Sequence, residues 1–372
     1  MVAADSFSDE SDDDVAQAGG DIMGIIEADS LALEELPPLA EGSAWRLSAL
    51  TVLAPRPPII EDEDGDLCMP RAPLAPPAAK VSLAPPAAAD GTGGITNGAK
   101  SEATIEGWRI ELCRVASSNL SQVGLQLWAG ALVLSDFLLA RPEVVRGRCV
   151  CELGAGLGLC SLLAARLGAR SVLCSDGSEE AVNNCKENIL RNASVGGVTD
   201  VVTTAVVRWE EPPSARLSPR QGDEDSDTRV GELLWDAEVL LAADVVYDAA
   251  AAEALVALTA KLLRKGRAKA LYMSLEKRIY FSAATLQAEV AAYPQFLEDC
   301  AALGLRVEPV DLSTVPVHFS YVRSRFYDMV VVTAMDVEPA KAQEGNQPQG
   351  DLGAEGVDLK RRKLESDPAR DT

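Results

Sequence analysis

The sequence predicts an α/β architecture, a mostly parallel sheet of seven strands with helices on both faces, flanked by disordered tails. Three observations carry that expectation. Between residues 101 and 335, short β-branched runs alternate with stretches of helical periodicity, the order that produces parallel βαβ units. A glycine-rich turn, ELGAGLGL, follows the first of those runs and opens a helical stretch. The flanks, residues 1–100 and 336–372, are too polar and too rich in Pro and acid to bury the apolar area that would offset their ordering entropy.

Residues 1–100 hold 11 of the 21 Pro and two acidic runs, SDESDDD and EDEDGD, and are expected to be largely disordered. The exception is Trp45 to Ile60, whose apolar residues suit a strand docking on the core. In the domain proper, 101–335, strands are expected at Arg148 to Leu153, Ser171 to Ser175, Val201 to Trp209, Ala237 to Ala243, Ala268 to Ser274, Leu305 to Asp311 and Phe326 to Thr333. Helices are expected at Trp128 to Ala140, Leu157 to Leu167, Ser178 to Arg191, Ala249 to Leu263 and Ser282 to Leu303. Residues 210–232, EEPPSARLSPRQGDEDSDTRVGE, read as a disordered insertion, too long for an ordinary connection. Little helical pattern joins the last two strands, so one of them is expected to run antiparallel. The tail 336–372 ends in a basic KRRK cluster at 360–363, of the kind nuclear import machinery reads.

Composition narrows the chemistry. With a single histidine, His318, mechanisms built on a histidine base or a multi-histidine metal site are disfavoured, and no metal is expected. His318 lies between Val317 and Phe319 and reads as a packed or surface residue. The eight cysteines form no CxxC pair and mostly sit in apolar runs, where thiols behave as small buried hydrophobes. No run of apolar residues has membrane-spanning length and the first residues lack a signal-peptide pattern, so an intracellular protein without membrane partners is expected. The net charge of -23 argues against binding nucleic acid over the whole surface. Residues 1–100 contribute -13, 210–232 contribute -4 and 336–372 contribute -3, which leaves the remaining core at only -3. The acidity therefore belongs to the flexible segments, where it can attract a basic, lysine-rich protein.

CVCELGAGLGL, residues 149–159, runs from an apolar strand through Glu152 into Gly154, Gly156 and Gly158 and then a helix. Glycines there let the backbone turn tightly and approach a ligand beside the exposed N–H groups of a helix start. The spacing GxGxG lacks the third glycine of a dinucleotide fingerprint, since Leu159 stands in its place. S-adenosylmethionine (SAM), which has no pyrophosphate to cradle, fits better. The next strand ends at Asp176, about 20 residues on, where a carboxylate can accept both ribose hydroxyls.

Around this core the sequence resembles the seven-β-strand lysine methyltransferases of the methyltransferase-like family. The likeness runs from about Trp108 to Ala334 and rests on VGLQLWAGALVLSDFLL, ELGAGLGL, VVRW, LLAADVVYD, SLEKRIYF and RVEPVD, with EDEDGDL in the first hundred residues also similar. It implies a Rossmann-like, class I SAM-dependent methyltransferase fold and a cofactor site lined by Trp128, Glu152, Gly154, Gly156, Asp176, Trp209 and Asp244. Trp128 would pack on the core with its N–H toward the ligand, and Trp209, at the end of the third strand, would flank the adenine.

The resemblance implies methyl transfer from SAM to a lysine ε-amine of a protein. Asp244 and Tyr247 would be the catalytic pair, Asp244 positioning the amine and Tyr247 walling its channel. Methyltransferases of nucleobase amines commonly carry two prolines where Val245 and Val246 stand, which favours a protein acceptor. Glu276, Lys277 and Arg278, at the same sheet edge, are candidates for substrate contact. Leu157 departs from the family's ELGAGTG, removing a hydroxyl, and Asp244 replaces the Glu of some relatives. Other readings of the same residues are a non-catalytic SAM-binding scaffold, an NAD(P)-dependent oxidoreductase, and a nucleic-acid or small-molecule methyltransferase. A nuclear monomer is expected, with the cytoplasm as a second location.

Overall fold

The computed structural model describes residues 33–37, 44–58, 60–61, 67–68, 105–115, 120–194, 197–214, 226–282, 287–290 and 292–335, all within a unit that ends at Met335. The KRRK cluster, the EDEDGD acids at 62–64 and 66, and the middle of the 210–232 segment lie outside them. Strands are β1 Trp45–Thr51, β2 Arg109–Val115, β3 Cys149–Leu153, β4 Ser171–Asp176, β5 Val202–Val206, β6 Val239–Ala243, β7 Ala270–Glu276, β8 Leu305–Val310 and β9 Tyr327–Ala334. The longer helices are α1 Ala129–Ala140, α2 Leu159–Arg166, α3 Glu179–Arg191, α4 Ser226–Asp236, α5 Ala249–Lys265 and α6 Tyr293–Ala302.

Seven strands form one sheet in the order β8-β9-β7-β6-β3-β4-β5. β3 pairs in parallel with β4 and β6, while β9 runs antiparallel to both of its neighbours, β7 and β8. This is the mostly parallel seven-stranded α/β sheet that the sequence predicts. The strand order reverses between β3 and β6, and the gap that opens beside such a reversal at the carboxyl edge is where open α/β sheets bind ligands.

Alternation along the central strands divides the core in two. Val150 of β3 and Val239 and Leu241 of β6 face one apolar layer with Leu132 and Leu138 of α1 and Leu162 of α2. Cys151, Leu153, Leu240 and Ala242 face the other, with Leu255 and Leu258 of α5 and Phe296 of α6. Near-continuous apolar runs are what strands buried on both faces require.

Four expectations change. Val201 to Trp209 yields a shorter strand that closes at Val206, so Trp209 lies in the loop beyond it. Residues 210–232 were expected to be loop throughout, but α4 begins at Ser226, because Leu234 finds a buried place and Trp235 Nε1 donates to the Pro213 carbonyl at 2.9 Å. Ser282 to Leu303 is not one helix: a hairpin pairs Ile279–Ser282 with Gln287–Val290, and α6 starts at Tyr293, where Pro294 suits the first helical turn. Finally, β1 forms where a docking strand was expected, but it pairs antiparallel with β2, which the periodicity did not reveal.

Asparagines attach this outer sheet to the core. Asn188 of α3 accepts from Cys113 N–H at 2.6 Å and donates to the Leu157 carbonyl at 2.9 Å, and Asn192 bonds both backbone groups of Glu111. Beyond β1, Leu53 donates to the His318 carbonyl, and Arg56 and Val317 exchange backbone bonds. His318 is buried, its backbone N–H bonded to Asp136 at 2.7 Å and its Nδ1 lying 3.2 Å from the Leu53 carbonyl. Asp136 also accepts from Tyr321 and Arg323, each at 2.7 Å, so the connection before β9 is held on α1 by a buried ionic network. Seven described cysteines are free thiols, six of them buried.

Candidate active site

At the carboxyl edge of β3, β4 and β6 lies a half-enclosed cavity of about 460 Å³. Trp128, Glu152, Gly154, Gly156, Asp176, Trp209, Asp244 and Tyr247 all line it, although they come from five separate segments. His318 does not line it, and Lys277 instead pairs with Asp328 at 2.8 Å.

The glycine turn is shaped by contact as much as by dihedral angle. Gly154 has φ +72°, and a Cβ there would stand 2.7 Å from Val245 Cγ1 and 3.2 Å from Trp209 Cζ2. Gly156 has φ +54°, and its Cβ would meet the Gly124 carbonyl at 3.1 Å. The backbone therefore touches the Val245 and Trp209 side chains, which brings β6 and the loop after β5 onto the turn.

Asp176 clamps the same turn. Its Oδ2 accepts from Gly156 N–H and its Oδ1 from Ser178 N–H, both at 3.0 Å. An ionised carboxylate accepts about four hydrogen bonds, so capacity remains for the hydroxyls of a ligand. Burial pushes its pKa up, against the pull of those N–H donors. Glu152 is more deeply enclosed, at 1% exposure, and its Oε2 accepts from the N–H and hydroxyl of Ser161 at 2.8 and 2.6 Å. It thereby caps the first turn of α2, yet burial lifts its pKa to about 7.

The two tryptophans differ. Trp128 is the residue before α1, and its indole N–H donates to the Val123 carbonyl at 2.7 Å. The expectation that this N–H points at a ligand is corrected: it closes the 120–127 segment, and only the ring face is left for the cavity. Trp209 Nε1, by contrast, is buried with no partner among the described residues. A buried unpaired donor costs about 1 to 3 kcal/mol.

Asp244 sits at the crossing of three elements. It is a non-glycine residue in the left-handed region, with φ +54°. Its backbone N–H donates to the Ser274 carbonyl at 2.9 Å, and Ser274 Oγ donates to the Gly130 carbonyl at 2.7 Å. The missing Cβ of Gly130 makes room for Asp244, whose own Cβ would otherwise be 2.7 Å away. Asp244 Oδ2 accepts from Arg278 Nη2 at 2.9 Å. Burial raises the Asp244 pKa and Arg278 opposes that rise. Tyr247, 44% exposed, stands at the mouth.

Two features of the wall are not legible in the sequence. Arg278, a candidate for substrate contact, lines the cavity and is also Asp244's partner. Gly124 and its neighbours in VGLQLW form one wall of the cavity. A glycine inside that apolar run was the signal, and it needed the contact with Gly156 to become interpretable.

The sequence profile of the lysine methyltransferase family matches residues 112–288. Methyltransferase-like protein 22 of Mus musculus is 31% identical over 335 residues, covering 83% of this chain and 83% of that protein. The chain belongs to the lysine methyltransferase family. Methyltransferase-like protein 22 of Homo sapiens is 33% identical over 216 residues, covering 55% of this chain and 52% of that protein. Protein-lysine N-methyltransferase EFM3 of Chaetomium thermophilum is 30% identical over 187 residues, with 50% and 49% covered. The activity is SAM-dependent methylation of a protein lysine.

The cavity fits that cofactor on its own chemistry. Trp209 offers an orphaned N–H, Asp176 has acceptor capacity, the Gly154 and Gly156 turn leaves space that a Cβ would fill, and Glu152 carries a carboxyl whose ionisation a nearby cation would favour.

Proposed function

We propose that Asp176 binds the ribose of SAM, that Gly154, Gly156 and Glu152 receive its methionine end, and that Trp209 and the ring face of Trp128 enclose it. Asp244 and Tyr247 then receive the lysine. The observation that carries this reading is the single cavity lined by residues from Trp128 to Tyr247. When bound, SAM supplies an electrophilic methyl on a sulfonium centre.

The protein's task is to present a neutral amine in line with that methyl. A lysine of pKa about 10.4 must first release a proton to water, which costs on the order of 4.6 kcal/mol at pH 7. Enclosure by Trp128 and the buried Val245 and Val246 disfavours the ammonium form. A neutral amine held there by Trp128, Asp244 and Tyr247 would present its lone pair to the methyl that SAM would supply. Asp244, already bonded to Arg278, positions the amine and is not its base. No covalent enzyme intermediate is required.

Labelled SAM tests the assignment. Asp176→Ala should lose cofactor binding by calorimetry, whereas Asp244→Ala should bind SAM and lose transfer of label into protein fractions. Normal SAM binding by Asp176→Ala would refute the ribose role.

The acceptor in this proposal is a basic, lysine-rich protein drawn in by the acidic segments, and the enzyme works as a nuclear monomer without direct nucleic-acid contact. Because β1 is part of the fold, the truncation that tests recruitment removes residues 1–32 and the nine acids they carry. Unchanged activity of that truncation at low salt would count against recruitment. Deleting KRRK, with no change in distribution, would remove the nuclear assignment.

A further inference from the structure

We infer that Arg278 is a positioning residue that sets the charge met by the incoming amine and so helps keep the target lysine unprotonated. This rests on the site assignment proposed above. Arg278 follows β7 and reaches back across the carboxyl edge of the sheet into the cavity wall. Its Nη2 lies 2.9 Å from Asp244 Oδ2 and its Nε 3.4 Å from Glu276 Oε2. Its guanidinium carbon is 5.3 Å from the ring centroid of Trp128 and 5.7 Å from that of Tyr247, within cation–π range of both. The side chain is 16% exposed. One planar cation thus sits against both aromatic walls of the lysine channel and the buried acid between them.

The charges around this point are few. Asp244 comes from the end of β6, Glu276 from β7, and the Tyr247 phenol from the segment after β6. Asp176, at the end of β4, and Asp248 act on Tyr247 through their fields. The residue before α1 is the uncharged Trp128. Arg208 and Glu210 lie in the cavity lining on either side of Trp209, and Glu152 of β3 also lines it. Lys277 is turned to Asp328.

Without Arg278, a lysine entering between Trp128 and Tyr247 could take the ion-pair place on Asp244 that Arg278 now holds, and would enter it as an ammonium. An anion there stabilises the ammonium form, which cannot accept the methyl, whereas a neutralised acid beside a fixed cation stabilises the free amine. Arg278 is suited to this role because its guanidinium stays protonated across the working pH and its planar face packs on aromatic rings.

The test is the pH profile of kcat at saturating labelled SAM, with the basic-protein fraction of a cell extract as acceptor. Arg278→Met should lose about tenfold at neutral pH and regain rate as pH rises, its alkaline midpoint moving up by about one unit, tenfold per unit. Arg278→Lys, which keeps the charge, should keep the wild-type midpoint at a lower rate. Arg278→Gln, which keeps a planar amide but no charge, should show the same upward shift, and it serves if Arg278→Met fails to fold. A readout free of turnover is the Tyr247 phenol, followed as the ultraviolet titration difference between proteins with and without Tyr247→Phe. It should ionise at higher pH once Arg278 is replaced. An unchanged midpoint in an active Arg278→Met, or a rise in KM alone, overturns the inference while leaving the activity intact. A wild-type chain that binds SAM but labels no protein overturns the activity reading and takes the inference with it.

Discussion

Gly154→Ala concentrates the logic of the site in one methyl group. The added Cβ would stand 2.7 Å from Val245 Cγ1 and 3.2 Å from Trp209 Cζ2, and the backbone would have to hold φ +72° with a side chain present. The left-handed conformation costs about 1 to 2 kcal/mol in a non-glycine residue. Overpacking a filled contact costs a further 1 to 3 kcal/mol or so. A loss of roughly 2 to 5 kcal/mol is a large part of a typical domain's stability of about 5 to 15 kcal/mol. At about 2 to 4 °C per kcal/mol for a chain of this size, Tm should fall by roughly 4 to 20 °C. Thermal unfolding measures the total, and a cycle with Val245→Ala separates the two parts. The double variant should be less destabilised than the sum of the singles, because shortening Val245 relieves the clash but not the dihedral strain. SAM affinity should fall as well, since the methyl projects toward Trp209 in the cavity wall. A Gly154→Ala protein that melts within a degree of wild type, or a cycle with no coupling, would refute the packing argument.

Three further outcomes follow from the buried charges. The Glu152 carboxyl has a folded pKa of about 7 against an ordinary 4.5, so the folded state holds its proton more tightly than the unfolded chain does. Its contribution to stability is therefore lost as pH rises from about 4.5 to 7, and Glu152→Gln should flatten urea-unfolding stability across that window. If Glu152 faces the cationic end of SAM, binding near pH 6.5 should release a proton, seen in calorimetry as a heat that changes with buffer ionisation enthalpy. Asp136→Ala leaves Arg323, whose side chain is 3% exposed, without its carboxylate, and should cost about 3 to 5 kcal/mol in urea unfolding.

What the sequence made legible was periodic or local. The central strands and α1, α3 and α5 appeared within a few residues because alternation and capping write themselves into neighbouring positions: Ser178 and Asp248 each accept from the N–H three residues ahead. The glycine turn and Asp176 were visible because their spacing is a local property of strand, turn and helix. What stayed hidden depends on contacts between distant segments. β2 owes its place to β1 and to Asn184, Asn188 and Asn192 reaching from α3, none of which a periodicity can show. Trp128 illustrates the opposite error, a side chain assigned to a ligand when a carbonyl five residues earlier already held its N–H. The helix expected from Ser282 onward failed although AATLQAEVAAY favours helix by propensity, because Gln287–Val290 pairs with Ile279–Ser282 instead and α6 starts only at Tyr293.

Asp244 shows why the site resists reading from pattern alone. Non-glycine residues at positive φ cost free energy, and such strain persists only where the surroundings over-determine it. Here three constraints converge: Ser274 binds the Asp244 N–H, the same Ser274 hydroxyl ties down the Gly130 carbonyl, and Gly130 has no Cβ to collide with Asp244. α1, β6 and β7 therefore agree on one position for a buried acid, and Arg278 fixes its carboxylate. Gly130 and Ser274 look unremarkable in the sequence, as a helix residue and a strand residue, yet each restricts where the acid can go. An acid placed that firmly need not move when an amine arrives. The chemistry needs no histidine, because it calls for a pre-positioned, charge-balanced pocket in which a lysine is easier to hold neutral than charged.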